Sequence, residues 1–169
     1  MASLGGQAEA LLAMKQPAQA VQLLQAAAAK RPDEPALRNL LGATAMKAGQ
    51  PGVAVAEFSA LAAKIPKSVE AKLALAQAHQ MERRLPDARQ VLEAARQLAP
   101  ADVRVLGQLG DVAAAKGDYS KALGVYREVA AQRPRDALVL NNIAYALVET
   151  NGDLNEAVAK SSEAVRLAP

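Results

Sequence analysis

The 169 residues carry 20 Lys+Arg against 17 Asp+Glu, a net charge of +3 scattered along the chain, with 51% hydrophobic residues, 2% aromatic residues and no cysteine. This composition excludes disulfides, thiolate catalysis and cysteine-ligated metals. It offers neither a basic stripe for phosphates nor aromatics for base stacking, and holds no run of roughly 18 apolar residues that could span a bilayer.

Apolar volume supplied by alanine, leucine and valine points to helices, not to a sandwich or barrel. Five units follow in chain order: 1–34, 35–68, 69–102, 103–136 and 137–169, read together as a single domain. Each is expected to be a pair of antiparallel helices. The first has a weak front half at Gly5-Gly6 and Gln7, a turn at Gln16-Pro17, then Ala20 with Leu24, and ends at Pro32. The second runs Leu41-Gly42, turn Gly49-Gln50-Pro51, Ala54 with Phe58, Pro66; the third runs Leu75-Ala76, turn Arg83-Arg84 with Pro86, Ala88 with Leu92, Pro100. The fourth runs Leu109-Gly110, turn Gly117-Asp118, Ala122 with Tyr126, Pro134. The fifth runs Ile143-Ala144, turn Asn151-Gly152-Asp153, Ala157 with Ser161 where the bulky residue belongs, and ends at Pro169.

The prolines that end the units, Pro32, Pro66, Pro100 and Pro134, are 34 residues apart, and Pro169 follows after 35. Each mark has a physical cause. Small residues stand where two helices pass closely, the bulky residue four positions on shares their face, and proline halts the helix before it. Gly49, Gly117 and Gly152 are expected in the left-handed conformation that closes a helix. The extra residue of the last unit is expected between Ile143 and Gly152, lengthening that unit's first helix.

The 34-residue period with Leu-Gly, Ala-x-x-x-bulky and Pro resembles the tetratricopeptide repeat. The usual tryptophan is replaced by Arg38, Lys72, Leu106 and Leu140, and the usual tyrosine by Ala45, His79, Ala113 and Leu147. The resemblance implies an all-α fold, a right-handed superhelical solenoid of about five helix hairpins, in which neighbours stabilise one another. No charged capping helix follows Pro169 and the opening MASLGGQAEALLAMKQ lacks a basic leader. The chain is therefore expected to be a fragment of a longer bacterial protein, or one that self-associates through uncapped ends.

No catalytic constellation emerges. His79 is the one histidine and stands at a core register, with no orienting partner. NGDLNE, from Asn151 to Glu156, is too short for a calcium loop. GATAMKAG, from Gly42 to Gly49, has no phosphate-loop ending. No cofactor, metal or catalytic residue is expected, and Arg83, Arg84 and Arg89 read as a solvated turn.

The resemblance also implies a concave groove lined by the first helix of each unit, where a peptide or partner protein binds. Projecting the repeat places Asn39 and Met46 there, then Leu73, Gln77 and Met81, then Gln108 and Asp111, and finally Asn141, Asn142 and Tyr145. Amide side chains satisfy a peptide backbone whatever its sequence, and methionine and tyrosine add adaptable apolar contact. The expected function is a non-catalytic protein-interaction scaffold with no nucleic-acid or membrane partner. The last unit, NNIAYALVETNGDLNEAVAKSSEAVRLAP, looks like the closing unit of bacterial repeat proteins of the cell envelope and exopolysaccharide assembly, which makes a periplasmic or envelope location the expectation. The alternative is a regulatory arm of a larger enzyme, such as a glycosyltransferase or peptidase.

Overall fold

The computed structural model describes residues 3–168; Pro169, the last rung of the proline ladder, lies outside the described residues. Ten α-helices follow one another among them: α1 (Leu4–Ala13), α2 (Pro17–Lys30), α3 (Pro35–Lys47), α4 (Pro51–Lys64), α5 (Val69–Met81), α6 (Leu85–Leu98), α7 (Val103–Ala115), α8 (Tyr119–Gln132), α9 (Ala137–Glu149) and α10 (Leu154–Leu167). The chain packs as two compact units, Met1–Val91 and Leu92–Pro169. In the first, α1 packs on α2, α2 on α3, α3 on α4 and α4 on α5, around a core that includes Val21, Leu24, Leu41, Phe58 and Leu61. In the second, α7 packs on α8, α8 on α9 and α9 on α10, and Leu106, Val112, Tyr126, Leu140 and Ile143 are buried. Each such side chain contributes about 1.5–3 kcal/mol.

Helix starts follow two chemistries. Helices α2, α3 and α4 have no capping side chain and instead begin with Pro17, Pro35 and Pro51, where the missing N–H costs nothing. In α5, α8, α9 and α10 an oxygen takes the free N–H groups: Ser68 accepts from Ala71, Asp118 from Lys121, Asp136 from Leu138 and Val139, and Asp153 from Asn155 and Glu156.

Each first helix stops with one left-handed residue, and these recur every 34 positions: Lys15, Gly49, Arg83, Gly117 and Asn151. The next N–H then donates back to the last turn, as from Gln50 to the Ala45 carbonyl at 2.8 Å and from Gly152 to the Leu147 carbonyl at 2.8 Å. Gly152 is thus not the left-handed residue; Asn151 is. The conformation belongs to the position one helix length after the start, and asparagine tolerates it better than most residues. Gly152 is constrained by space instead, since a Cβ there would lie 2.9 Å from Leu147 Cδ2.

The extra residue is also placed differently from the expectation. Helix α9 has 13 residues, as do α3, α5 and α7. The addition falls in the turn. Asp118 both closes α7 through its N–H and caps α8 with its carboxylate, whereas in the last hairpin Gly152 does the first and Asp153 the second.

The small residues of the repeat seat rings. A Cβ on Gly42 would stand 2.6 Å from Phe58 Cε1, and one on Gly110 would stand 2.5 Å from Tyr126 Cε1. Where the second helix presents only Ser161, the first can carry Ala144.

Candidate functional site

In the unit Met1–Val91, the first-helix register is mixed. Asn39 and Gln77 are exposed and Met81 is open at the end of α5. Met46 is half-buried and packs against the core, so its thioether is partly spent on packing. Leu73 is buried, contrary to the expectation that it lines the open face. A leucine at that register gains more from leaving water than from facing it. His79 is buried with its Nδ1 lacking a partner; burial, helped by the Arg84 charge, holds its pKa below the ordinary histidine value. Arg84 is paired with Asp87 at 2.8 Å and with Glu82 at 3.6 Å, so part of the densest basic group is neutralised by carboxylates.

In the unit Leu92–Pro169, the register splits into a bonded inner part and an open end. The Tyr126 hydroxyl donates to Asp111 Oδ1 at 2.9 Å, and Asn142 also hydrogen-bonds that hydroxyl. Burial, then the Asp111 carboxylate, pushes the Tyr126 phenol far up; burial raises the Asp111 carboxyl, with the Tyr126 hydrogen bond opposing. Gln108 and Asn142 are half-buried. Asn142 therefore braces α9 against α8, while its neighbour Asn141 faces the open end.

That open end is walled by two stripes. On α9, Leu138, Asn141, Tyr145 and Val148 are spaced by three, four and three residues; on α10, Leu154, Val158, Ser161 and Val165 are spaced by four, three and four. Both spacings put the residues on one helix face. Most of this surface is apolar and open: Leu138 is 69% exposed, Tyr145 54% and Val158 66%. Between the helices lies an open depression of about 460 Å³, lined by Asn141, Ala144, Tyr145, Val148, Val158 and Ser161 among others, with no Lys, Arg, Asp or Glu. The side-chain volume that Tyr126 supplies on α8 is missing at Ser161. Tyr145 is held at the rim by an edge-to-face contact with Tyr119, ring centroids 5.7 Å apart at 76°. Hydrogen bonding with Tyr119, then with Glu149, pushes its phenol up to about 12.

The structure thus brings Asn141 and Tyr145 together at one site and turns Asn142 into a brace. The α10 wall was not among the expected site residues. Its signal in the sequence was Ser161, the one small residue at a bulky register. Among the described residues no group of three or more His, Asp or Glu is placed to hold a metal, and no helix is long and apolar enough to cross a membrane.

Models of the tetratricopeptide repeat match residues 45–110 and 108–169. The chain belongs to the tetratricopeptide repeat family. No curated protein matches it in sequence. Its fold is similar to that of a crystal structure of MamA, at 22% identity over 99% of this chain and 95% of that one, TM-score 0.82. It is likewise similar to MamA 41-end from Desulfovibrio magneticus RS-1, at 19% identity over 99% and 96% of the two chains, TM-score 0.80. A thermophilic tetratricopeptide protein of Thermus thermophilus is similar at 24% identity over 96% and 89%, TM-score 0.72.

Proposed function

We propose that this chain is a non-catalytic scaffold that binds another protein or a peptide through the first-helix faces of its repeats, in bacterial cell-envelope or exopolysaccharide assembly. Membership of a repeat family of interaction modules supports the scaffold reading. The observation that carries the site is the open register of uncharged polar and apolar side chains: Asn39, Gln77 and Met81 in one unit, Asn141 and Tyr145 in the other, all exposed. Each of these faces, taken in its own unit, can hydrogen-bond a peptide backbone and pack its side chains without demanding a charge. The envelope context rests on the likeness of the last hairpin to closing units of exopolysaccharide repeat proteins.

The test is affinity purification from envelope and soluble fractions of a bacterial source, comparing the chain with an Asn141→Ala, Tyr145→Ala variant of unchanged helix content. Loss of one discrete partner by the variant is the expected result. Equal retention by both would overturn the assignment of this face.

A further inference from the structure

On the α7 face of the unit Leu92–Pro169 we infer a subsite for a lysine side chain of the bound peptide, anchored by the Asp111 carboxylate and seated in the space beside Gly107. The inference rests on the reading of the first-helix faces as a peptide site. It adds the one charge that the amide and apolar positions of those faces do not ask for.

Several carboxylates of this unit are matched by arginines. Glu128 lies 3.1 Å from Arg96, Glu156 2.8 Å from Arg127 and Asp102 2.6 Å from Arg104. Asp111 differs: burial and the Tyr126 hydrogen bond act on its carboxyl, with no lysine or arginine charge among the causes. Arg104, two turns earlier on α7, is committed to Asp102, with Nε 3.1 Å from Oδ1 and Nη2 2.6 Å from Oδ2. A partly buried carboxylate without a cation beside it is a costly group, and a positive charge brought to it relieves that cost.

Hydrogen bonds fix how this carboxylate is presented. The Tyr126 hydroxyl gives its one proton to Asp111 Oδ1 at 2.9 Å, so it can only accept from the Asn142 amide. Asn142 on α9 thus donates to Tyr126 on α8, which donates to Asp111 on α7. That chain engages one carboxylate oxygen from behind, and Asp111 itself stays open to solvent along one edge, which leaves Oδ2 for a ligand. A single oxygen suits an ammonium, a compact point charge, better than the planar guanidinium fork that pairs with two.

Room for the rest of the side chain lies one turn earlier on the same helix face. Gly107 stands at the register that carries Asn39, Leu73 and Asn141 in other repeats. A Cβ there would meet nothing within 4 Å, so no close packing calls for glycine, although glycine inside a helix is destabilising relative to alanine. A helical side chain leans over the turn before its own Cα, which carries the Asp111 carboxylate toward the space that Gly107 leaves. The methylene stem of a lysine can lie along this bare stretch of helix with its ammonium at Oδ2.

The test is a positional-scanning library of nine-residue peptides, acetylated at one end and amidated at the other, captured on immobilised chain with one position fixed in turn as lysine, arginine or norleucine. Fixed lysine is expected to bind on the order of ten-fold better than norleucine at one position, with arginine gaining less. Asp111→Asn, which keeps the shape and the Tyr126 bond, is expected to abolish the lysine gain and leave capture of the norleucine peptides unchanged. Gly107→Leu is expected to lose the gain as well, whereas Gly124→Leu, on an exposed position of α8 that is equally open, keeps it; circular dichroism checks that each variant is folded. Capture without a lysine preference, a preference that survives Asp111→Asn, or arginine exceeding lysine would each overturn the inference and leave the scaffold reading standing. Capture of no peptide at all would overturn both.

Discussion

The ring of Tyr126 occupies the place where a side chain on Gly110 would begin: a Cβ there would stand 2.5 Å from Cε1. The ring is 4% exposed and its hydroxyl is bonded to Asp111, so it has little freedom to retreat. Gly110→Ala is expected to destabilise the fold by about 1–3 kcal/mol through overpacking. Adding Tyr126→Leu should recover at least about 1 kcal/mol of that loss, since the repeat itself pairs alanine with leucine at Ala8 and Leu24. Urea denaturation of the four members of the cycle checks this, and strictly additive losses would refute it.

The left-handed positions differ in their cost. Gly49 and Gly117 adopt positive φ freely, while Lys15 at φ 57° and Arg83 at φ 56° carry a Cβ there. Arg83→Gly is expected to raise stability by about 0.5–1 kcal/mol, and Gly117→Ala to lower it by about 1 kcal/mol. Thermal unfolding of both variants against the parent reads the two opposite signs.

His79 is buried with an unpartnered Nδ1, and its pKa is depressed chiefly by burial. The unfolded chain therefore binds the proton more readily, so stability is highest above the unfolded value of about 6.5 and falls as pH drops through it toward the folded one. His79→Leu, the residue the last unit uses as Leu147, should remove that decline and add about 1 kcal/mol at neutral pH. Denaturation curves taken one pH unit above and one below that unfolded value should then be displaced less for the variant than for the parent.

Asp111 behaves in the opposite sense. Its carboxyl is raised by burial, so the folded state holds the proton more tightly and stability falls as pH rises from the unfolded value through the folded one. Asp111→Asn keeps an oxygen for the Tyr126 hydroxyl and should be more stable than the parent at neutral pH, by less than about 1 kcal/mol because the residue retains an open edge. The advantage should vanish below the ordinary aspartate value of about 3.9, and an advantage independent of pH would contradict the cause given.

The hairpins were legible because their marks are local: proline at a fixed period, and a small residue facing a bulky one. What escaped were features that depend on exact register. The spacing of 35 before Pro169 announces an insertion, but only hydrogen bonds show that Asn151 keeps the left-handed place while Gly152 is added to the turn. Leu73 shares its register with Asn39 and Asn141 and still turns into the core, because a leucine follows available packing more than the period. Val158 and Val165 repeat at the same intervals as a buried stripe. Periodicity describes the face of a helix, and a further helix, when there is one, decides whether that face stays open.

The split roles of Gly152 and Asp153 also bear on where the chain can be lengthened. At Gln16, Gln50 and Asp118 one residue both ends a helix and opens the next, so inserted sequence must break one of the two duties. Between Gly152 and Asp153 the junction is already divided, which makes it the natural address for a grafted epitope or fluorescent label that leaves both flanking helices intact.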